Sequence, residues 1–279
     1  MPLPDIADAV TKKGYNMESA LESLTDRLAE LIISSKRIIV FTGAGVSTES
    51  GISDFRSPGG LWEKYDPAEF TYQNFLRSAE NRRKHWQIYR SGLFMDENVK
   101  PNAAHYAIAE LQRIGKLECV ITQNVDNLHQ KAGVPEEKVI ELHGNIKWVK
   151  CLSCGKRTPM DEVVKRMAEE DVEDPHCKDC QGILKPEGIF FGESLPEKAL
   201  REATFYSTHC DLFIVIGSTL IVTPAAFMPS YAVESGAKLA IINLSSTPLD
   251  RQASILICGK AGKTMSQVVE KVKQKLSYN

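Results

Sequence analysis

The sequence lacks any apolar run near the ~18–20 residues that a membrane-spanning helix needs. It also lacks a dominant charge: 34 Lys and Arg nearly cancel 36 Asp and Glu, leaving a net charge of -2. Without a global positive field nothing holds a polyanion, which argues against direct nucleic-acid binding as the main activity. The opening residues, MPLPDIADAVTKKGYNMESALESL, contain no apolar h-region, and their acidic residues argue against a transit peptide. A disulfide framework is missing as well, since the seven cysteines are odd in number and Cys119, Cys210 and Cys258 stand alone in apolar stretches. These absences lead us to expect a soluble, cytoplasmic protein from a reducing compartment, with no membrane association.

What is present fits an ordinary globular chain: 279 residues, 43% hydrophobic and 25% charged. Short continuous apolar runs read as buried strands at Arg37–Phe41, Cys119–Ile121, Val139–Glu141, Leu212–Ile216 and Leu239–Ile242, with a weaker one at Ser254–Ile257. Between them, Met17–Ile33, Ala103–Ile114, Glu197–Tyr206 and Thr264–Lys275 carry apolar residues at spacings of three and four, as helices do. Strands alternating with helices imply an α/β fold with a doubly wound parallel sheet. Residues 53–118 interrupt the alternation with aromatics and charge and read as a helical insertion. Residues 148–185 hold two cysteine pairs and little else apolar, so they read as a separate small module. Residues 1–16 read as a loosely attached extension.

Cys151 and Cys154, then 22 residues, then Cys177 and Cys180 give a C-x2-C…C-x2-C pattern. Two such knuckles complete a tetrahedron of thiolates around one zinc ion. The alternative is a pair of redox dithiols. Four thiolates leave no open position for substrate, and the intervening segment needs the metal to fold, so the expected zinc is structural. His176 beside Cys177 reads as surface.

The first strand runs into Gly43-Ala44-Gly45-Val46-Ser47-Thr48-Glu49-Ser50-Gly51. Glycines there permit a tight turn and bring backbone N–H groups close to a pyrophosphate, while Ser47, Thr48 and Ser50 could cap the next helix or bond to phosphate. The third glycine of the dinucleotide fingerprint is replaced by Thr48, so the turn alone leaves a ligand-free alternative open. Other strand ends favour a ligand. Gly217-Ser218-Thr219, Asn243 and the polar run Thr122-Gln123-Asn124-Val125-Asp126-Asn127 all follow apolar strands. Ligands of doubly wound sheets bind beyond the carboxyl ends of the strands. We therefore expect a Rossmann-like nucleotide-binding domain. His143, after the strand Val139–Glu141, reaches the same rim and suits a general base. His129 reads as structural, and His85, His105 and His209 as surface or packing residues.

These residues resemble the sirtuin family. The resemblance rests on Gly43–Ser57 (GAGVSTESGISDFRS), Thr122–His129 (TQNVDNLH), His143-Gly144, the four cysteines, Phe191-Gly192-Glu193, Gly217–Leu220 and Ile242-Asn243, in the family's order. With Gly60-Leu61-Trp62 the chain is most similar to bacterial and archaeal sirtuins. The resemblance implies an NAD-dependent protein-lysine deacylase, with NAD as co-substrate, one structural zinc, and acyl-lysine proteins or peptides as partners. It implies His143 as general base, Asn124 holding ribose and a water, and Asp126 holding the nicotinamide carboxamide. Gly43, Ala44, Gly45, Thr48, Asp54, Phe55, Arg56, Gln123, Val125, Gly217, Ser218 and Thr219 would line the cofactor path, and Asn243 and Ala261 its adenosine end. Phe55 would cover the reaction centre and exclude water. The peptide would pair through its main chain between Gly192-Glu193 and Leu220–Val222, with its lysine stem near Ile189 and Phe191. The implied organisation is a Rossmann-like domain (17–52, 119–147 and 186–279), a cofactor loop and helical insertion (53–118), and a zinc-binding module (148–185).

Departures sharpen the expectation. Ser53 stands where the family carries proline, and Gly188-Ile189 where it carries two valines. Sirtuins that take dicarboxylic acyl groups carry Tyr-x-x-Arg. Here Tyr89 is followed by Arg90, Ser91 and Gly92, which favours neutral acyl groups. Mono-ADP-ribosyl transfer to protein, and a non-catalytic NAD- and zinc-binding interaction module, are the competing readings.

Overall fold

Strands that are apolar at nearly every position must be covered on both faces. In the computed structural model, which describes residues 17–53, 63, 66–91 and 99–277, six of them form one parallel sheet. They are β1 (Ile38–Thr42), β2 (Cys119–Thr122), β3 (Val139–Glu141), β7 (Leu212–Ile216), β8 (Lys238–Asn243) and β9 (Ile255–Cys258), in the order β3-β2-β1-β7-β8-β9. The register aligns Val40 with Val120 on one side and Ile214 on the other. Asp54, Phe55, Arg56, Gly60-Leu61-Trp62, Gly92 and the extension 1–16 lie outside the described residues.

Alternate side chains of each strand feed opposite faces. Ile38, Val40, Val120, Ile214 and Ile242 pack against α1 (Met17–Ser34), α4 (Ala103–Arg113) and α9 (Ala261–Ser277). Ile39, Phe41, Ile121, Phe213 and Ile241 pack against α7 (Glu197–Thr208) and α8 (Met228–Glu234). The insertion contributes α2 (Tyr72–Arg77) and α3 (Ala79–Arg90), started by Thr71 and Ser78 hydroxyls that accept from the Asn74 and Asn81 N–H groups. Among the described residues no helix is long and apolar enough to cross a membrane.

Two boundaries of the sequence reading move. Helix α4, grouped there with the insertion, buries Ala104, Ile108 and Leu111 in the core of the main sheet. Its start is fixed by a reciprocal cap, with Ala104 N–H donating to Asn102 Oδ1 (2.9 Å) and Asn102 N–H to His105 Nδ1 (3.3 Å). Helix α9 begins at Ala261 rather than Thr264 because Glu49, far away in sequence, accepts the Gly262 N–H at 2.8 Å.

The cysteine module is a three-stranded antiparallel sheet of β4 (Trp148–Cys151), β5 (Arg157–Pro159) and β6 (Leu184–Pro186), with helix α6 (Met160–Glu169). Its core is shared with the insertion. Trp86 and Tyr89 of α3 complete a core with Val149, Met160, Val163, Met167 and Leu184. Arg82 adds a buried two-pronged ion pair with Asp174, at 2.9 to 3.0 Å, while donating to the Phe75 carbonyl at 3.2 Å. Removing one partner of such a pair strands the other charge, at a cost of about 3–5 kcal/mol. Asp174→Ala is therefore expected to lower unfolding free energy by about 3 kcal/mol in urea titration. A loss within the range of a surface substitution would show that the pair does not clamp the insertion to the module.

Candidate functional site

Strand order reverses at β1, which has β2 on one side and β7 on the other. At such a point the loops beyond the carboxyl ends diverge and leave a crevice. Here the two central loops touch first. Gly43 N–H donates to the Ile216 carbonyl (3.2 Å) and Gly45 N–H to that of Gly217 (2.9 Å). A Cβ on Gly45 would lie 2.8 Å from Gly217 Cα, and one on Gly217 (φ +64°) only 2.2 Å from Val46 N. No other residue fits there without moving main chain.

Beyond this contact opens a cavity of about 510 Å³. Of the residues expected on the cofactor path, Ala44, Gly45, Thr48, Gln123, Asn124, His143, Gly217, Ser218, Thr219, Asn243 and Ala261 line it. Gly43 packs beneath it against Gly217 and Ser218. Val125 packs against the core of the cysteine module instead. The sequence reading did not single out Leu244, Ser245 or Lys260 as site residues, and these also line the cavity. Ser245 accepts from Asn243 Nδ2 and so fixes that amide.

A chain of polar contacts orients the cavity's reactive end. Ser47, fully buried, donates from Oγ to Asp126 Oδ2 (2.7 Å) and accepts from Asn124 Nδ2 (3.0 Å). Asp126 Oδ1 accepts the Leu128 N–H. Ser47, Thr48 and Ser50 were expected to cap a helix or bond to phosphate, but none caps. Ser47 holds the asparagine and aspartate, Thr48 donates to the Gly45 carbonyl, and Ser50 accepts from Asn102. Asp126 stands behind the cavity wall, linked through Ser47 to Asn124, which lines it. Gln123 Oε1 accepts from Ser218 Oγ at 2.7 Å, joining the loop after β2 to the loop after β7 through side chains.

His143 Nδ1 lies 3.0 Å from the Gln123 carbonyl. A carbonyl only accepts, so Nδ1 carries the proton and Nε2 keeps its lone pair. Burial lowers the His143 pKa, partly offset by that hydrogen bond, so the net effect favours the neutral ring. A neutral imidazole on the rim of a nucleotide-sized cavity can take a proton from a hydroxyl.

Behind the asparagine and aspartate lie two buried histidines. His129 Nε2 meets Thr42 Oγ1 at 2.9 Å, Thr42 donates to Thr122 Oγ1, and that oxygen accepts the Asn124 N–H. The rings of His105 and His129 are 5.0 Å apart. Burial pushes His105 down to about 4, and burial with the neighbouring His105 pushes His129 down to about 3. His129 is thus structural, as its position in the sequence suggested.

The residues expected on the peptide side do not share one cavity. Val222 lines the first, whereas Ile189 and Glu193 line a second of about 920 Å³ along β3 and β4. Phe191 and Gly192 are exposed, and Leu220 is buried in a left-handed turn at φ +55°. The Glu193 carboxylate turns inward, onto Lys185 Nζ and the Phe190 N–H.

All four cysteine sulfurs lie within 4.8 Å of one another. Cys151 and Cys180 are 3.5 Å apart, and Cys154 and Cys177 3.8 Å. Thiolates at ~2.3 Å from one ion stand about 3.8 Å apart along a tetrahedron's edges, so the cluster fits zinc as it stands. A Cβ on Gly182 would come within 2.8 Å of Cys151 Sγ, so the chain leaves that space clear for the cradle. His176 takes no part. Its Nδ1 meets the Gln181 carbonyl and its Nε2 faces Asp174.

Comparison with known proteins adds an independent line. Residues 43–224 match the model of the Sir2 family. The chain is 44% identical to the NAD-dependent protein deacetylase of Thermodesulfovibrio yellowstonii, over 92% of this chain and 98% of that protein. It is 42% identical to the NAD-dependent protein deacylase 2 of Archaeoglobus fulgidus, over 91% and 98%. A solved Sir2 variant holding a deacetylated peptide and 3'-O-acetyl ADP ribose superposes with a TM-score of 0.82 at 40% identity, covering 88% of this chain and 97% of that one.

Two outcomes follow from the site. Unfolded histidines gain protons below the ordinary 6.5, whereas folded His105 and His129 resist until about 4 and about 3. Their contribution to stability is present above pH 6.5 and is lost as pH falls through that window. Melting temperature should drop between pH 7 and 4.5 in the native protein and less steeply in His129→Gln; equal slopes would contradict the assignment. Cys177→Ser is expected to lose the zinc, read by metal analysis at one ion per native chain, and to unfold the module.

Proposed function

The chain belongs to the Sir2 family, and from that premise we infer that it is an NAD-dependent protein-lysine deacylase. It cleaves NAD to nicotinamide and passes the acyl group to ADP-ribose. The observation that carries the reading is a neutral His143 with a free Nε2 on the rim of a cavity that is also lined by the closely packed glycine turns at Gly45 and Gly217.

NAD lies with its pyrophosphate against Ala44, Gly45 and Thr48 and the Ser218 and Thr219 hydroxyls, and with its adenosine toward Asn243 and Ala261. Its nicotinamide ribose faces Asn124 and His143. The acyl-lysine carbonyl oxygen attacks the anomeric carbon of that ribose, and the C–N bond pair leaves with nicotinamide. His143 Nε2 takes the proton from a ribose hydroxyl, whose oxygen attacks the imidate carbon. After addition of one water the products are free lysine, nicotinamide and O-acyl-ADP-ribose. Ser47 supports this by fixing Asn124 and Asp126 relative to each other. Zinc takes no step; it holds the module.

The partner is an acyl-lysine segment of a protein or peptide, seated by its main chain against 191–193 and 220–222. Neutral acyl groups are preferred. Tyr89, the anchor of the dicarboxylate motif, is buried against Trp86 in the module core, and Arg90 is exposed to solvent. The division of labour is that the parallel-sheet domain holds NAD while the module and helical insertion shape the peptide side.

His143→Ala is expected to lower kcat about 10²–10⁴-fold on an acetyl-lysine peptide while leaving NAD affinity nearly unchanged. Peptide mass and nicotinamide release, followed together, check it. Because burial lowers the His143 pKa, the acidic limb of the kcat profile should lie below the free-histidine value, and a limb above it would contradict the assignment.

A further inference from the structure

Lys185 is explained by neither the cofactor cradle nor the cysteine cluster. It lies in β6, and its side chain is 4% exposed. A lysine taken out of water needs its charge answered and its three donors filled. Nζ donates to the carbonyls of Pro186 (2.9 Å) and Gly188 (2.8 Å) and pairs with Glu193 Oε2 at 2.9 Å. It also sits 4.3 Å from the centre of the Phe190 ring. The same carboxylate oxygen accepts the Phe190 N–H at 2.9 Å. One buried ion pair thus gathers residues 186, 188, 190 and 193 around a single point.

The segment it folds is tethered at two more places. Ile189 N–H donates to the carbonyl of His143 (2.8 Å), and Tyr72 N–H to that of Phe191 (2.9 Å). The first is the main chain of the base itself, and the second belongs to the helical insertion. Two charges desolvated together contribute little net stability, and an apolar pair of similar volume would hold the fold as well. What the ion pair supplies, and an apolar pair would not, is directed bonds to named carbonyls.

We propose that Lys185 and Glu193 are positioning residues for the acyl-lysine substrate: their buried pair holds 189–193 in the conformation that presents its main chain to the peptide. This rests on the deacylase reading above. It also assigns the Glu193 carboxylate to the protein's interior, so the segment meets the peptide through backbone and exposed Phe191 alone.

The test compares zinc-loaded wild type with Lys185→Met and Glu193→Gln. Met keeps the length and removes the charge, whereas the Gln amide oxygen can still accept from Lys185 and from the Phe190 N–H. Lys185→Met is expected to raise the KM for an acetyl-lysine peptide about tenfold or more, with NAD dissociation within about twofold of wild type. Glu193→Gln strands the Lys185 charge while keeping an acceptor, and is expected to raise the peptide KM in the same direction, about threefold or more, again with NAD dissociation within about twofold of wild type. Hydrogen exchange over 186–193, without peptide, should quicken in Lys185→Met. A folded Lys185→Met with wild-type peptide KM, or wild-type exchange in this segment, overturns the proposal. Should Lys185→Met fail to fold, Glu193→Ala is read by the same two measures with the same expected directions. If wild type deacylates no acyl peptide, the function reading fails, and exchange alone still decides whether the pair orders the segment.

Discussion

The loops leaving β1 and β7 touch main chain to main chain, and the rest of the site depends on that contact. Gly45 N–H on the Gly217 carbonyl brings two strand ends closer than any side chain would allow. The approach has three consequences. It brings Ala44, Gly45 and Thr48 to the wall of one cavity, sets Gln123 against Ser218, and seats Ser47 where it reaches both Asn124 and Asp126. A nucleotide cradle and an oriented reaction centre thus arise from one packing constraint. A methyl group on Gly217 would break both at once.

Around that contact, polar groups are arranged by burial as much as by partners. His143 is neutral because burial disfavours its charge, and directed because Nδ1 is committed to the Gln123 carbonyl. The wall behind it, from Thr42 through Thr122 and His129 to His105, contains groups that bury well only uncharged. On the other flank, Lys185 and Glu193 stay paired and tie the peptide-side segment to the carbonyl of His143 through Ile189. The base is therefore held from two directions by elements distant in sequence.

Much of this was legible in the residues. Apolar runs such as LFIVI need cover on both faces whatever surrounds them. Glycines after the first strand and the C-x2-C spacing carry their own geometry. The structure bears out the parallel sheet and the cysteine cluster, and the comparisons bear out the family. What escaped depends on partners far away in sequence. Ser47 looks like a cap until Asp126 arrives beside it. The start of α9 is set by Glu49, and α4 reads as insertion until its apolar face is seen against the sheet. Trp86 and Tyr89 gave no sign that they finish the core of the cysteine module. Lys185 did leave a trace, a cation within the short strand LKP, and a buried charge there demanded a carboxylate that the sequence places eight residues on, at Glu193.

The central claim is that NAD cleavage and lysine deacylation are one reaction at one site. Product stoichiometry tests it most directly, with nicotinamide, free-lysine peptide and O-acetyl-ADP-ribose quantified from a single incubation with NAD and an acetyl-lysine peptide. The account predicts the three in equal amounts at every time point, and none when either substrate is omitted. Free acetate released without nicotinamide, or ADP-ribose accumulating while the peptide stays acetylated, would contradict it.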